Sequence, residues 1–376
     1  MSSDAYEVAI VGGGIVGAAC AAECARRGLR VVVFDQDSSG SGATAAGMGH
    51  IVVMDDSDAQ FALTRYSQKL WEQLRPDLPD DVEYDQCGTI WVAADDEEMA
   101  EVWRKHNYYE ARNVPTQVLD QSELGKIEPN LSSGLKGGLL VPEDVVLYPP
   151  CAARFLLERA QQHGARFQTG RSVTRLGDGC VELSGGEQFR AECLVNATGA
   201  FASGLMPAVD IRKRKGHLVI TDRYPGFVRH QLVELGYLKS AHAVTADSVA
   251  FNVQPRRTGQ ILIGSSRQFE SEGKEIDHGL LARMLKRAQE YMPGLETMSA
   301  LRTWTGFRAA TPDKLPLIGR WSRDKSLWLA TGHEGLGITT SLGTARILVD
   351  QITGAKPEIP IEPYSPSRAT MEHAHA

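Results

Sequence analysis

The chain has 376 residues, of which 42% are hydrophobic and 23% charged, a composition typical of soluble globular proteins. This length exceeds what one ordinary core needs, so we expect two domains. The net charge of −7 and the pI near 5.8 argue against nucleic acid as a main partner, because binding phosphates requires a basic face.

The sequence shows neither a signal-peptide pattern nor an apolar run of about 18 residues, so we expect no leader and no spanning helix. The six cysteines never occur in C-x-x-C spacing, and Cys20 and Cys24 share one face of the first predicted helix. We therefore expect buried free thiols in a reduced, cytoplasmic protein, with peripheral contact to the inner membrane left open. No metal site stands out, and His373 and His375 are expected in an exposed tail.

The first elements of the chain form a recognisable unit. Apolar residues 8–11 predict a buried strand that runs directly into the glycine-rich segment 12–17. Segment 18–28 predicts a helix and segment 30–34 a second buried strand, which ends at Asp35. The order strand, glycine turn, helix, strand and acid is typical of a dinucleotide site.

Each glycine of this G-x-G-x-x-G pattern has a physical role. Gly12 allows a tight turn, Gly14 lets a pyrophosphate approach the backbone, and Gly17 lets the helix pack closely on the strand. Asp35 follows at the distance where a carboxylate can hydrogen-bond the adenosine ribose. The motif alone leaves NAD and FAD open.

Small residues dominate segment 38–50, directly after the second strand. One interpretation is a flexible linker. The other is backbone that wraps a ligand, and Met48 and Ile51 favour such a packed segment.

The remaining predicted elements form segments of two kinds, in which strands either alternate with helices or follow one another as an antiparallel sheet. Further helices are predicted at 57–74, 95–112, 120–129, 151–163, 279–291 and 335–352. Further strands are predicted at 87–94, 137–141, 164–167, 173–176, 181–183, 188–191, 194–199, 218–221, 250–253, 261–264, 303–308, 317–319 and 327–330. The sequence predicts an α/β layer up to residue 208, an antiparallel sheet from residue 211, and a return to α/β texture near residue 317.

Several separated motifs resemble one family. They are the opening glycine motif with Asp35, the small-residue segment 41–48, and segments 196–203, 304–313 and 330–339. Together they resemble the D-amino-acid oxidase family of flavoenzymes, which includes glycine oxidase, sarcosine oxidase and D-amino-acid dehydrogenases. The resemblance implies FAD, and the second glycine-rich loop near the carboxyl end disfavours an NAD(P)-dependent dehydrogenase.

The resemblance implies an α/β fold with a discontinuous, Rossmann-like FAD-binding domain and an α+β substrate domain with an antiparallel sheet. We assign residues 1–50, 145–208 and 312–365 to the FAD-binding domain, 51–144 and 209–311 to the substrate domain, and 366–376 to a tail.

The implied reaction is oxidation of a small D-amino or imino acid, with hydride transfer from the α-carbon to flavin N5 and formation of an imine. Segments 302–308 and 331–341 are most similar to bacterial enzymes acting on D-hydroxyproline, proline-like imino acids and opines, so we expect a proline-like substrate such as cis-4-hydroxy-D-proline. The alternatives are a glycine/sarcosine oxidase-like enzyme and a flavoprotein subunit of a multi-subunit opine or amino-acid dehydrogenase. The electron acceptor (oxygen, a quinone or a partner subunit) and a homo- or hetero-oligomeric state stay open.

Arg308 matches the family arginine that binds the substrate carboxylate, a role suited to a planar guanidinium that donates two parallel hydrogen bonds. The alternative is an ion pair with Asp313. Arg302 lies on the same predicted strand, where a structural ion pair is favoured over a second anchor. Met48 matches a pocket position beside the flavin, and His50 either faces that pocket or is structural.

The resemblance implies FAD contacts from five short segments and from the single residue Val173. The residues are Gly12, Gly14, Ile15, Val16, Gly17, Asp35, Gln36, Gly42, Ala43, Thr44, Ala46, Gly47, Met48, Val173, Ala197, Thr198, Gly199, Gly332, His333, Gly335, Leu336, Gly337, Ile338 and Thr339. No cysteine follows Cys193, so the cysteine tether of some sarcosine oxidases is excluded. The basic run 212–215 predicts a solvated strand edge, or a second flavin phosphate site as in multi-subunit relatives.

Overall fold

A computed structural model describes residues 6–236, 247–269 and 271–368. The described chain forms two compact units, of which the first contains residues 6–82, 148–213 and 307–368, and the second contains the described parts of 83–147 and 214–306. His373 and His375, predicted in the tail, lie outside the described residues.

Strands alternate with helices along most of the chain. The strands are β1 (Tyr6–Val11), β2 (Val31–Phe34), β3 (His50–Ile51), β4 (Thr89–Ala93), β5 (Gln117–Asp120), β6 (Gly137–Val141), β7 (Val145–Val146), β8 (Arg166–Gln168), β9 (Val173–Gly177), β10 (Cys180–Leu183), β11 (Gln188–Asn196), β12 (Arg212–Arg223), β13 (Gln231–Glu234), β14 (Ser248–Pro255), β15 (Gln260–Arg267), β16 (Ala300–Ala310), β17 (Leu317–Arg320), β18 (Leu327–Thr331) and β19 (His333–Glu334).

The helices whose bounds fall within the described residues differ widely in length. They are α1 (Ile15–Arg26), α2 (Asp58–Leu74), α3 (Asp96–Glu110), α4 (Gln121–Ile127), α5 (Pro149–Gln162), α6 (Ala202–Leu205), α7 (His278–Tyr291) and α8 (Gly337–Thr353). No helix in this described set is both long and apolar enough to cross a bilayer.

The first unit is built on a sheet with the strand order β17-β18-β11-β1-β2-β8. The pairs β18–β11, β11–β1, β1–β2 and β2–β8 are parallel, while β17 is antiparallel to β18. Strands β9 and β10 extend β11 as an antiparallel meander. Because the carboxyl ends of parallel strands meet at one edge of a sheet, the loops after β1, β11 and β18 lie together.

Both faces of this sheet are buried. All four residues of β2 are inaccessible to solvent, and alternate residues such as Ala9, Val11 and Phe34 join a core with the meander residues Leu176 and Val181. A strand buried on both faces is expected to be continuously apolar, which explains the unbroken apolar runs in the sequence. Helix α1 packs against α5 and α8.

Helix α2 belongs to this unit and also packs on α8. Glycine at position 343 of α8 permits this contact, because a β-carbon there would collide with the Ser67 hydroxyl. The Gly343 amide donates to that hydroxyl at 3.2 Å. Residues 51–82 thus belong to the first compact unit. The domain ranges expected from the sequence included them in the substrate domain.

The second unit contains a mostly antiparallel sheet with the order β16-β12-β15-β14-β13-β4-β6-β5. Strands β13 and β4 pair in parallel, whereas the pairs β12–β15, β13–β14, β14–β15, β4–β6 and β5–β6 are antiparallel. Helix α7 covers one face, where Tyr291 stacks on Phe251 with ring centroids 4.5 Å apart and Met284 is fully buried. The predicted fold class, an α/β sheet with a separate antiparallel sheet, is confirmed.

The element predictions were less accurate at the ends and in the second unit. Predicted strands 188–191 and 194–199 form one continuous strand, β11, and strands β5 and β13 were not predicted. The basic run 212–215 opens β12, yet Lys215 is buried and its Nζ donates to the Ser271 hydroxyl at 3.2 Å. The prediction of a solvated edge is therefore wrong for this residue.

The expectation of buried free thiols holds for three of the six cysteines, while Cys87, Cys151 and Cys193 are half-buried. All six are free, and Cys20, Cys24 and Cys180 are buried. Burial raises the pKa of the Cys20 thiol to about 12, so this group stays protonated and unreactive at neutral pH.

Candidate functional site

Every residue predicted to bind cofactor or substrate lies in the first unit. Most of them follow the carboxyl ends of β1, β2, β11 and β18, where parallel α/β sheets bind ligands. The site therefore starts from the loops at this edge.

The first glycine loop requires glycine at two positions for different reasons. Gly12 has φ +109°, and a β-carbon there would lie 2.5 Å from the Ala197 carbonyl oxygen. Gly17 lies in α1, and a β-carbon there would collide with the Gly12 carbonyl oxygen. These two glycines let β1, α1 and the end of β11 approach closely.

The N-cap residue of α1, Gly14, gives the helix no side-chain cap, and the first turn contains no acid. The Ile15 amide donates to the Thr44 hydroxyl at 3.0 Å. Amides left at a helix start, with the positive end of the helix dipole, suit a phosphate group.

Asp35 directly follows β2 and faces the same loop. Its Oδ2 accepts from the Gly13 amide at 2.5 Å and its Oδ1 from the Asp37 amide at 2.8 Å. Burial raises the pKa of the Asp35 carboxyl. The predicted contact with a ribose hydroxyl stays a prediction, as does that of the exposed Gln36 beside it.

The small-residue segment after β2 is packed, which rejects the linker interpretation. Thr44 and Met48 are buried, and a β-carbon at Gly47 would lie 2.7 Å from Ile338 Cδ1 at the start of α8. Gly42, at φ +64°, turns the backbone two residues before Thr44. The segment thus contacts the starts of both α1 and α8.

Two polar residues that the sequence analysis did not nominate connect the strand ends. Asn196 closes β11 in a buried position, and its Oδ1 accepts from the Thr198 hydroxyl at 2.7 Å. The Thr331 hydroxyl at the end of β18 donates to the Gly199 carbonyl at 3.0 Å. A single polar residue ending an apolar strand was the available signal for both. Val173, the predicted adenine contact, begins β9 and is half-buried.

The second glycine loop follows β18 and leads into α8. Gly332 has φ +81°, and a β-carbon there would lie 2.6 Å from Thr311 Cγ2. Helix α8 begins at Gly337, two residues later than predicted, with no side-chain cap among the described residues and no acid in its first turn. The two glycine loops thus precede two helix starts of the same kind.

The His333 side chain packs toward α8. Its Nε2 lies 2.9 Å from the Thr344 hydroxyl, and burial lowers its pKa to about 3. The ring is therefore neutral at physiological pH.

Two predicted residues from separate segments, His50 and Gly335, lie near Arg308. Burial lowers the pKa of His50 to about 4, with the charge of Arg308 acting in the same direction and a hydrogen bond with the Gly335 backbone opposing it. The Thr339 hydroxyl donates to the His50 carbonyl at 2.9 Å. A β-carbon at Gly335 would lie 4.0 Å from the Cδ and Nε atoms of Arg308. Arg308 itself is half-buried.

The alternative partner for Arg308 is engaged by another residue. Asp313 accepts from Arg368 Nε at 2.6 Å, and this bond helps to lower the pKa of the Asp313 carboxyl. Arg302 is exposed and its guanidinium lies 5.4 Å from the ring centroid of Trp304. Six residues of extended strand span about 20 Å, so one small carboxylate does not contact both Arg302 and Arg308.

Two glycine loops at one sheet edge, each before an uncapped helix, define a dinucleotide-binding α/β protein. A family model described as DAO, FAD dependent oxidoreductase, matches residues 7–351. The chain belongs to this family and is an FAD-dependent oxidoreductase. The residues at the sheet edge fit FAD, since neither helix start has a cap from its N-cap side chain or a carboxylate in its first turn.

The relatives cover nearly the whole chain. Glycine oxidase of Geobacillus kaustophilus is 27% identical over 374 residues, covering 96% of this chain and 97% of the relative. The hydrogen cyanide synthase subunit HcnC of Pseudomonas aeruginosa is 27% identical, covering 98% and 97%. The crystal structure of L-proline dehydrogenase from P. horikoshii superposes with a TM-score of 0.88 at 25% identity, covering 98% of each chain.

Proposed function

We propose that this protein oxidises the carbon–nitrogen bond of a small amino or imino acid, with Arg308 binding the substrate carboxylate. The observation that carries the proposal is the arrangement of Arg308 beside Gly335 and His50, next to a glycine loop that precedes an uncapped helix. Relatives that oxidise glycine and proline support the same class of substrate.

Each residue has a defined task in this proposal. Arg308 fixes the carboxylate through parallel hydrogen bonds and so orients the α-carbon. The neutral His50 adds no second cation beside Arg308, and the buried Met48 supplies an apolar wall. When bound, FAD supplies the two-electron acceptor for the hydride of the α-carbon, while the substrate nitrogen loses a proton to form the imine.

The proposed substrate differs from the narrower expectation drawn from the sequence. The relatives favour a glycine oxidase-like or imino acid-oxidising enzyme, and none of those described above is a hydroxyproline enzyme. Cis-4-hydroxy-D-proline therefore stays a prediction among several small substrates. Glycine, sarcosine, D- and L-proline and cis-4-hydroxy-D-proline together form a panel that separates these possibilities.

The test is anaerobic mixing of the FAD-loaded protein with each member of the panel while the visible flavin absorbance is recorded. We expect at least one member to bleach the flavin, and Arg308→Ala to lower kcat/KM for it about 30-fold or more, because truncating one partner of a buried charge pair costs 2–5 kcal/mol. Arg302→Ala is the matched control on the same strand and should stay near the parent. Equal rates in the parent and Arg308→Ala would contradict the carboxylate role.

A second candidate function is the flavoprotein subunit of a multi-subunit dehydrogenase. The similarity to HcnC, whose name identifies it as a subunit of a synthase, favours it. Size-exclusion chromatography with light scattering, and reoxidation of the bleached flavin by air or by a quinone, distinguish the two. Slow reoxidation in air with rapid reoxidation by a quinone supports the dehydrogenase, whereas rapid reoxidation in air supports an oxidase.

A further inference from the structure

The fold requires glycine at three positions around the site. Gly12, Gly47 and Gly332 leave no room for a β-carbon, which would approach another atom to within 2.5, 2.7 and 2.6 Å respectively. Backbone conformation adds a second requirement at Gly12 and Gly332, whose φ values are positive. At these positions glycine is a condition of the fold.

Neither of these two requirements applies to Gly335. Its φ lies outside the left-handed region, and among the described residues beyond its chain neighbours a β-carbon there would meet only Arg308, at 4.0 Å. An ordinary side chain is therefore compatible with this backbone. What distinguishes Gly335 from other glycines with open space is its neighbour, because the atoms that a side chain there would approach belong to Arg308.

The space beside Gly335 is bounded by groups that are held in place. The backbone of Gly335 lies beside the His50 ring, and Thr339 donates to the His50 carbonyl at 2.9 Å. The loop is thus anchored to β3 on one side while its open side faces the Cδ and Nε atoms of Arg308. A side chain at position 335 would extend along the guanidinium that we propose to bind the carboxylate.

We propose that Gly335 is a specificity-determining position, whose missing side chain leaves room beside Arg308 for the α-substituent of the substrate. The site then takes amino or imino acids larger than glycine, with a ring or side chain next to the bound carboxylate. This inference rests on the proposed carboxylate role of Arg308. A bulky residue at position 335 fills the space and restricts the site to the smallest carboxylates.

The first test compares substrates of different size in one variant. Gly335→Leu should lower the ratio of kcat/KM for proline to that for glycine about tenfold or more, since one or two methylene groups in a pocket discriminate 10- to 200-fold. Each rate is normalised to the flavin bound per chain. Gly125→Leu is the control, because Gly125 is exposed in α4 and a β-carbon there meets nothing within 4 Å. An equal loss for both substrates, or no loss, would overturn the inference.

The second test needs no turnover. Acetate and pyrrole-2-carboxylate are titrated into the FAD-loaded parent and variant, and the dissociation constants are measured by calorimetry. Gly335→Leu should weaken pyrrole-2-carboxylate about tenfold or more and leave acetate within about twofold. If Gly335→Leu does not retain FAD, Gly335→Ala replaces it with a smaller expected change in the same direction.

The two tests separate this inference from the proposed function. A parent that no panel member reduces, but that loses pyrrole-2-carboxylate selectively on substitution, contradicts the proposed reaction and supports the role of Gly335. A parent that is reduced by proline with an unchanged preference in Gly335→Leu supports the reaction and overturns the role of Gly335.

Discussion

Helices α1 and α8 begin differently from helices α2, α3, α4 and α7. The latter four are capped by a side chain of their own N-cap residue, namely Ser57, Asp95, Asp120 and Asp277. Helices α1 and α8 instead follow glycine loops, and in the described chain neither receives a side-chain cap from its N-cap residue. Helices α5 and α6 also lack a side-chain cap, but α5 begins with two prolines, which have no amide hydrogen to satisfy, and α6 has only four residues. Among the longer helices, α1 and α8 therefore differ in having amides at their starts that a ligand at the sheet edge can use.

The largest effect is expected at Gly17, where the first loop and α1 meet. In Gly17→Ala the added methyl group collides with the Gly12 carbonyl oxygen, and the backbone at the start of α1 has to shift. We expect the free energy of unfolding to fall by about 3 kcal/mol or more and bound FAD to be lost. Urea unfolding and the flavin content per chain measure both. Gly204→Ala, where a β-carbon meets nothing within 4 Å, should match the parent; an FAD-loaded Gly17→Ala would contradict the proposed role of α1.

The next effect concerns the second loop. Gly332→Ala places a β-carbon at φ +81° and 2.6 Å from the Thr311 methyl group. We expect a loss of about 1–3 kcal/mol in unfolding free energy, with weaker FAD binding, because the loop that leads to α8 shifts. Calorimetric titration of the apoprotein with FAD tests this, and unchanged affinity would separate the second loop from the cofactor.

The pH dependence should also distinguish the two loops, because the buried histidines His50 and His333 lie beside the second. The pKa of His333 is lowered to about 3 in the folded chain, below its value of about 6.5 when unfolded. Below pH 6.5 the unfolded chain therefore binds more protons than the folded chain. The free energy of unfolding is thus unaffected by His333 above pH 6.5 and decreases as pH falls below that value. Between pH 7.5 and pH 5.0 this effect lowers the unfolding free energy by about 2 kcal/mol.

Urea unfolding of the parent and of His333→Gln at the two pH values measures this term. The glutamine side chain can still hydrogen-bond Thr344, so the variant should lose less stability on acidification than the parent. Identical pH dependence would show that His333 does not carry the effect.

The smallest effect is expected at a self-capped helix. Ser57→Ala removes the hydroxyl that accepts from the Gln60 amide at 3.1 Å and should cost about 1 kcal/mol. Bound FAD should be unchanged, since the cap serves the fold. Thermal unfolding and flavin content check both, and a loss of FAD would show that the start of α2 also supports the cofactor site.

The local order of the first unit was predictable because its signals are contiguous. The unbroken apolar strands, the glycine spacing of segment 12–17 and Asp35 lie within 30 residues of each other. The predicted helix ranges 57–74 and 95–112 begin at Ser57 and Asp95, and both residues are N-caps in the structure, since short polar side chains cap backbone amides. Strands β5 and β13 were missed because their sequences have no clear alternation, and their conformation depends on pairing with distant strands.

The sequence by itself determined the class of fold and the spacing of the glycine loops, because both depend on residue type at short spacing. Arg308 was chosen by its match to a family motif, and its role stays a prediction. Only the tertiary structure decided which glycines the backbone requires and which leave space, since Gly332 and Gly335 are indistinguishable in sequence but differ in φ and in their neighbours. It also decided that Asp313 pairs with Arg368 and that His50 lies against Gly335 beside Arg308. These contacts join residues tens to hundreds of positions apart, and only the folded chain brings them within reach of one another.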